Sequence, residues 1–178
     1  VENDERLKLY SAYAETSRKW TSTMDSKGTF FSAMNAGILA FLWGSVKIDQ
    51  WCGAERWFGF AATASSLFAL AAAILVITPR ERLSLLVGKK SPWTSSYKPL
   101  SFYSYIAKSY GKDGLKELVR DVRGLDTEAF AYEALEQHFT VSLVIQRKSN
   151  WVFRSAFFTF VSVSFVGVAL LVKLSMQG

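Results

Sequence analysis

MDSKGTFFSAMNAGILAFLWGSV, residues 24–46, opens on two charges, Asp25 and Lys27, and then carries none to its end. An amide, Asn35, stands inside the uncharged part. The stretch reads either as the buried helix of a soluble domain or as a membrane span with a polar residue inside it. Two further stretches decide between them. Residues 57–79 and 155–172 also lack Asp, Glu, Lys, Arg and His. Each of the three is close to the ~20 residues an α-helix needs to cross about 30 Å of hydrocarbon. Three such runs in 178 residues exceed what a soluble core of this size can house. The expectation is an all-α integral membrane protein with three transmembrane helices at 28–47, 57–79 and 152–173. The first run is not a signal peptide, because charged and polar residues precede it and a second span follows at once.

Lys and Arg are distributed unevenly around these runs. Five precede the first, thirteen lie from Arg80 to Arg154, two lie between the first and second, and one follows the third. By the positive-inside rule the N-terminus and the long middle segment are cytoplasmic, and the short link and C-terminus lie outside a bacterial inner membrane. The net charge of +6 then belongs to one face, suited to anionic headgroups or a phosphate ligand; no nucleic-acid partner is expected. Trp51 and Trp57 fall at the outer interface by this topology, and Trp151 at the inner one. Cys52, the single cysteine, lies outside and excludes an intramolecular disulfide.

The whole chain, 1–178, reads as a single membrane domain. Residues 1–27 lack a helix breaker and repeat Leu9, Tyr13, Trp20 and Met24 near helical spacing, an amphipathic helix leading into the first span. Residues 49–56 form a turn. The cytoplasmic segment 80–151 begins with short pieces broken by Pro79, Gly88, Pro92 and Pro99 and rich in aromatics (Trp93, Tyr97, Phe102, Tyr103, Tyr105). A short helix ends at Gly124, Asp126 or Thr127 caps a longer one, and nothing punctuates 127–174, so the last cytoplasmic helix continues into the third span.

Signals for catalysis are poor. One histidine, His138, sits mid-helix, and Gly-rich phosphate loops, zinc spacings and nucleophile elbows are missing from the sequence. No enzyme activity, metal site or cofactor is expected. The informative residues are in the spans. Ala61, Ser65, Ala69 and Ala73 make a small-residue stripe on the second, and Ala33 and Gly37, with Ser32, Ala36 and Ala40, one on the first. Such stripes let helices approach closely, within the chain or between copies. Asn35 falls roughly 10 Å below the cytoplasmic edge, where an amide needs a helix partner or a wet path. Asp25 and Lys27 lie at the interface, within reach of the Arg147, Lys148 and Arg154 cluster, itself an anchor or a grip on phosphate.

Five features in order resemble one family: the leading amphipathic helix; Asp25-Ser26-Lys27-Gly28 followed by Asn35; ITPR at 77–80; FYSYIAK at 102–108; and QRKSNWVFR at 146–154. Together they resemble the transmembrane effectors of Pycsar anti-phage systems, small bacterial three-span proteins, over nearly the whole chain. Gly28 stands where the family leads one to expect Ala. The resemblance implies a nucleotide-binding effector of abortive infection. Cyclic CMP or cyclic UMP, made by a partner nucleotide cyclase, would switch it on, and it would impair the inner membrane. Lys27, Arg80, Arg147, Lys148 and Arg154 are then the candidate ligand contacts, and the lipid bilayer and further copies of the chain the expected partners. A membrane adaptor recruiting a cytoplasmic protein through 112–148, and a small oligomeric channel, are the alternatives.

Overall fold

Within the three apolar runs Pro occurs only at the end of the second, as Pro79, and Gly only at positions a helix tolerates, so long helices follow. In the computed structural model, which describes residues 2–78, 106, 109–111, 113–124 and 127–175, all regular structure among these residues is helical. Among the described residues four α-helices are complete: α1 (Glu2–Ala40), α2 (Ala54–Ile77), α3 (Leu115–Arg123) and α4 (Thr127–Ser175). The expected aromatic segment, with Arg80, Trp93, Tyr97, Phe102, Tyr103 and Tyr105, lies outside the described residues.

Among the described residues two helices are long and apolar enough to cross a membrane, Ala54–Ile77 and the Phe130–Ser175 part of α4. Relative to the expected spans, α2 starts one turn earlier and ends at Ile77, because Ala54, Glu55 and Arg56 already take helical conformation behind Gly53 (φ 96°). The first apolar run is divided. It is α-helical to Ala40 and then a π-turn, Phe41–Ser45, so its α part is shorter than a membrane thickness.

The described residues fall into two compact units. The first draws on Val1–Lys19 and Pro79–Leu143. Here α1 meets α4 through polar side chains: Ser17 Oγ is 2.6 Å from His138 Nδ1, and Arg18 donates to Gln137 Oε1 at 3.1 Å. The Tyr13 ring lies 5.5 Å from the His138 ring. Ala14, Ser17, Ala131 and Glu133 are buried, whereas Leu9 and Tyr13 stay substantially exposed. Lys19 bridges to Glu15 at 2.9 Å, and this hydrogen bond and charge hold the Glu15 carboxyl below its ordinary value. α3 is strongly amphipathic. It starts behind Gly114, where a Cβ would fall 2.1 Å from the Tyr110 carbonyl oxygen, and Tyr110 donates to Asp121 on its last turn at 2.8 Å.

The second unit draws on Trp20–Thr78 and Val144–Gly178. Two bonds fix α2 against α4: Ser155 Oγ donates to Ala69 O (2.8 Å) and Ser162 Oγ to Ala62 O (2.9 Å). A step of seven forward on α4 is a step of seven back on α2, so the two helices are antiparallel. α1 runs parallel to α4, since Asp25 meets Lys148 and Asn35 meets Thr159. One end of the unit is closed by Leu42, Ile48, Trp51, Ala62 and Ala169. Trp51, expected at the lipid interface, is instead 4 % exposed. The link bends at Lys47 (φ 52°) into a short 3₁₀ turn, Ile48–Gln50, and folds the ring inward, where Nε1 donates to Val46 O (3.2 Å) and Lys173 Nζ lies 4.7 Å above it. Trp57 does face outward.

Candidate functional site

The interior of the second unit is lined by hydroxyls and one amide. α1 contributes through a heptad-like row in which Met24, Gly28, Asn35 and Leu42 are buried. Gly28 is there for closeness: a Cβ would come within 3.1 Å of Val76 and Ile77 on α2. α2 contributes Ser65, Ser66, Ala69 and Ala73, all buried, with Ala61 half-buried. α4 contributes Ser155, Thr159 and Ser162 at three- and four-residue spacing, which puts them on one face, each buried.

The protons of this seam can be counted. Thr159 gives its own to Ser155 O (2.8 Å) and Ser155 gives its own to Ala69 O. Ser162 donates to Ala62 O, so in its 2.7 Å contact with Ser66 the latter must donate. Asn35 Nδ2 donates twice, to Phe31 O (2.8 Å) and Thr159 Oγ1 (2.7 Å). The amide orientation follows from chemistry, since a carbonyl accepts only and Oδ1 cannot face it. The hydroxyls of Ser66, Ser155, Thr159 and Ser162 are thereby engaged. Asn35 Oδ1 and Ser32 Oγ are buried without a hydrogen-bond partner among the described residues. An acceptor buried in this way costs free energy until water or a rearranged helix supplies a donor.

At one end of the seam the expected charges gather. Lys148 donates to Asp25 in an ion pair whose lysine is 16 % exposed and whose aspartate is 40 % exposed. The pair ties α1 to α4 ten residues before Asn35. Lys27 and Arg147 are exposed. Arg154 packs its guanidinium 4.7 Å from the Trp151 ring centroid. Of the five candidate ligand contacts, Lys148 therefore holds an acid and Arg154 an aromatic ring; Arg80 lies outside the described residues. The α1 stripe turns away from the seam, with Ala33, Ala36, Gly37 and Ala40 exposed and no atom within 4 Å of a Cβ built at Gly37.

Sequence reasoning finds Asn35 but not its partner, Thr159, and finds the mid-helix His138 but not the Ser17 hydroxyl beside it. The signal for Thr159 was weak but present, since Ser155, Thr159 and Ser162 repeat at helical spacing in an apolar run.

Long apolar helices, two of them among the described residues able to cross a bilayer by length and composition, are joined here by an internal row of hydroxyls. The chain matches the family model of the Pycsar effector protein domain over residues 10–174 and belongs to that family, which makes it an anti-phage defence effector associated with the membrane. No curated protein and no solved structure matches it.

Proposed function

We propose that the protein is a ligand-gated effector that crosses the bacterial inner membrane three times and impairs it when a cyclic pyrimidine mononucleotide, cyclic CMP or cyclic UMP, binds its cytoplasmic side. The observation that carries the reading is the half-satisfied polar seam. A span evolved only to anchor gains nothing from an amide whose oxygen is buried without a donor, whereas a seam that opens to water satisfies it. The family supplies the setting, with a partner cyclase making the signal.

The gate follows from the same residues. The anionic ligand is drawn to the exposed cations Lys27 and Arg147, with Arg80 as a third candidate contact, and competes with Asp25 for Lys148. Releasing that pair lets α4 move against α1, and Asn35, about 15 Å further along α1, loses Thr159 and meets water. The divided first run, 28–46, completes the third span with its π-turn, a feature frequent at functional positions. Three helices cannot enclose a path by themselves, so the active form is a homo-oligomer, joined through the exposed Ala33, Ala36, Gly37 and Ala40 face.

The test is leakage of dye and ions from liposomes holding the purified protein, with each cyclic mononucleotide added in turn. Leakage confined to cyclic CMP or cyclic UMP is expected. Leakage without ligand would favour an open channel, and silence from inserted, folded protein would favour the adaptor.

A further inference from the structure

On the second unit, away from the seam, α2 and α4 leave a groove of about 520 Å³, within the range of small-molecule sites. Phe68, Ala71, Ala72, Phe157 and Phe158 line it, with the Phe68 and Phe158 rings 5.7 Å apart. At its other end stand Trp151 and Arg154. Arg154 is the only charged side chain in the lining, and among the described residues no carboxylate lies within ion-pairing distance of it. Trp151 holds its guanidinium by a cation–π contact at 4.7 Å. From Trp151 to Phe158 the groove runs roughly 10 Å along α4.

We infer that this groove is a binding site for one phospholipid with an anionic headgroup, its acyl chain between Phe68 and Phe157 and its phosphate on Arg154. The two parts of the site demand both halves of that ligand. A free phosphate would satisfy Arg154 and leave an apolar trench; a lipid without phosphate would fill the trench and leave the cation without an anion, and in phosphatidylcholine the choline ammonium already offsets the phosphate charge that Arg154 would meet. A guanidinium fork matches two phosphate oxygens. Tryptophan beside arginine is a pair suited to headgroup depth, and the excess of Lys and Arg from Arg80 to Arg154 assigns this end to the cytoplasmic leaflet, where anionic lipids are concentrated. The site thus gives Arg154 a role separate from the activating nucleotide, and it does not rest on the gating scheme.

Native mass spectrometry of the full chain tests it after extraction from vesicles containing equal amounts of phosphatidylglycerol and phosphatidylcholine with identical chains. The wild type should retain one phosphatidylglycerol with about a fivefold preference, the factor a single basic residue near an anionic surface supplies. Arg154→Gln should retain both lipids equally. Ala71→Phe, which fills the groove from an exposed position and leaves the charge in place, should retain neither, with the helical circular dichroism of the wild type confirming the fold. A preference that survives Arg154→Gln, or full retention by Ala71→Phe, overturns the inference. So does displacement of the bound lipid by cyclic CMP or cyclic UMP, which would assign Arg154 to the nucleotide.

Discussion

Asn35 carries two donated hydrogen bonds and one buried oxygen without a partner among the described residues, which separates its structural value from its functional one. In Asn35→Leu, Thr159 still gives its proton to Ser155 O, so no new group is stranded, and the orphaned oxygen disappears. Interhelical hydrogen bonds in membranes average about 0.6 kcal/mol, so stability in detergent unfolding should change by less than about 1 kcal/mol. Toxicity in cells should nevertheless be lost at equal expression; if it persists, the wet path through Asn35 is wrong. Gly28 makes the opposite case, in which shape matters and polarity does not. Val at this position must push into Val76 and Ile77, already 3.1 Å from where its Cβ would lie, and overpacking of this kind costs about 1–3 kcal/mol. Gly28→Val should therefore unfold at lower denaturant than the wild type in the same detergent. An isolated amide in an uncharged run is visible from sequence, and so is its need of a partner. The partner is not, because Ser and Thr in apolar helices serve equally well by bonding their own preceding turn, as Thr29, Thr63 and Ser164 do here.

At the scale of elements, the Asp25–Lys148 pair is the one ionic tie between α1 and α4 among the described residues of the second unit. It is partly exposed, so its coupling in a double-mutant cycle with Asp25→Ala and Lys148→Ala should be about 0.5–1 kcal/mol. In the gating scheme its loss matters more to the equilibrium between closed and open forms than to folding. Asp25→Asn should raise ligand-free leakage from liposomes and reduce the additional response to cyclic nucleotide. A variant that leaks no more than the wild type would remove the pair from the gate. The helices themselves were legible because long uncharged runs and the lack of Gly or Pro from 127 to 174, apart from Gly167, leave little else for the chain to do. The faces they use were not. Four-residue spacing marks the α2 stripe and the α1 stripe alike, yet Ser65, Ala69 and Ala73 are buried whereas Ala33 and Gly37 are exposed. Spacing names a face of a helix without naming what it meets. The inward fold of Trp51 was hidden for a similar reason, since it depends on a left-handed Lys47 that no side-chain preference announces. His138 escaped because its partner, Ser17, is 121 residues away.

For the whole molecule, orientation follows from physics that acts outside the fold. Five Lys and Arg precede the first apolar run and thirteen lie from Arg80 to Arg154, against two in the link and one in the tail. In the proposed topology, cytoplasmic retention of basic segments puts the link outside. The proposed third span, 28–47, is needed for this arrangement, because two crossings alone would return the link and both termini to a different pattern of sides. The chain contains its own probe. Cys52 is the single cysteine, lies in the link just before α2, and is exposed. A membrane-impermeant maleimide added to cells with a permeabilised outer envelope and an intact inner membrane should label it, and Cys52→Ser should abolish the signal. Labelling that appears only after the inner membrane is broken would place the link in the cytoplasm. Either α1 then fails to cross or the whole topology is inverted. A cysteine placed at exposed Ser11 in the Cys52→Ser background separates the two, since it is reached from outside only if the topology is inverted. The orientation matters for the gate, because Lys27, Arg147 and the Asp25–Lys148 pair can meet a nucleotide made in the cytoplasm only if α1 enters the bilayer from that side.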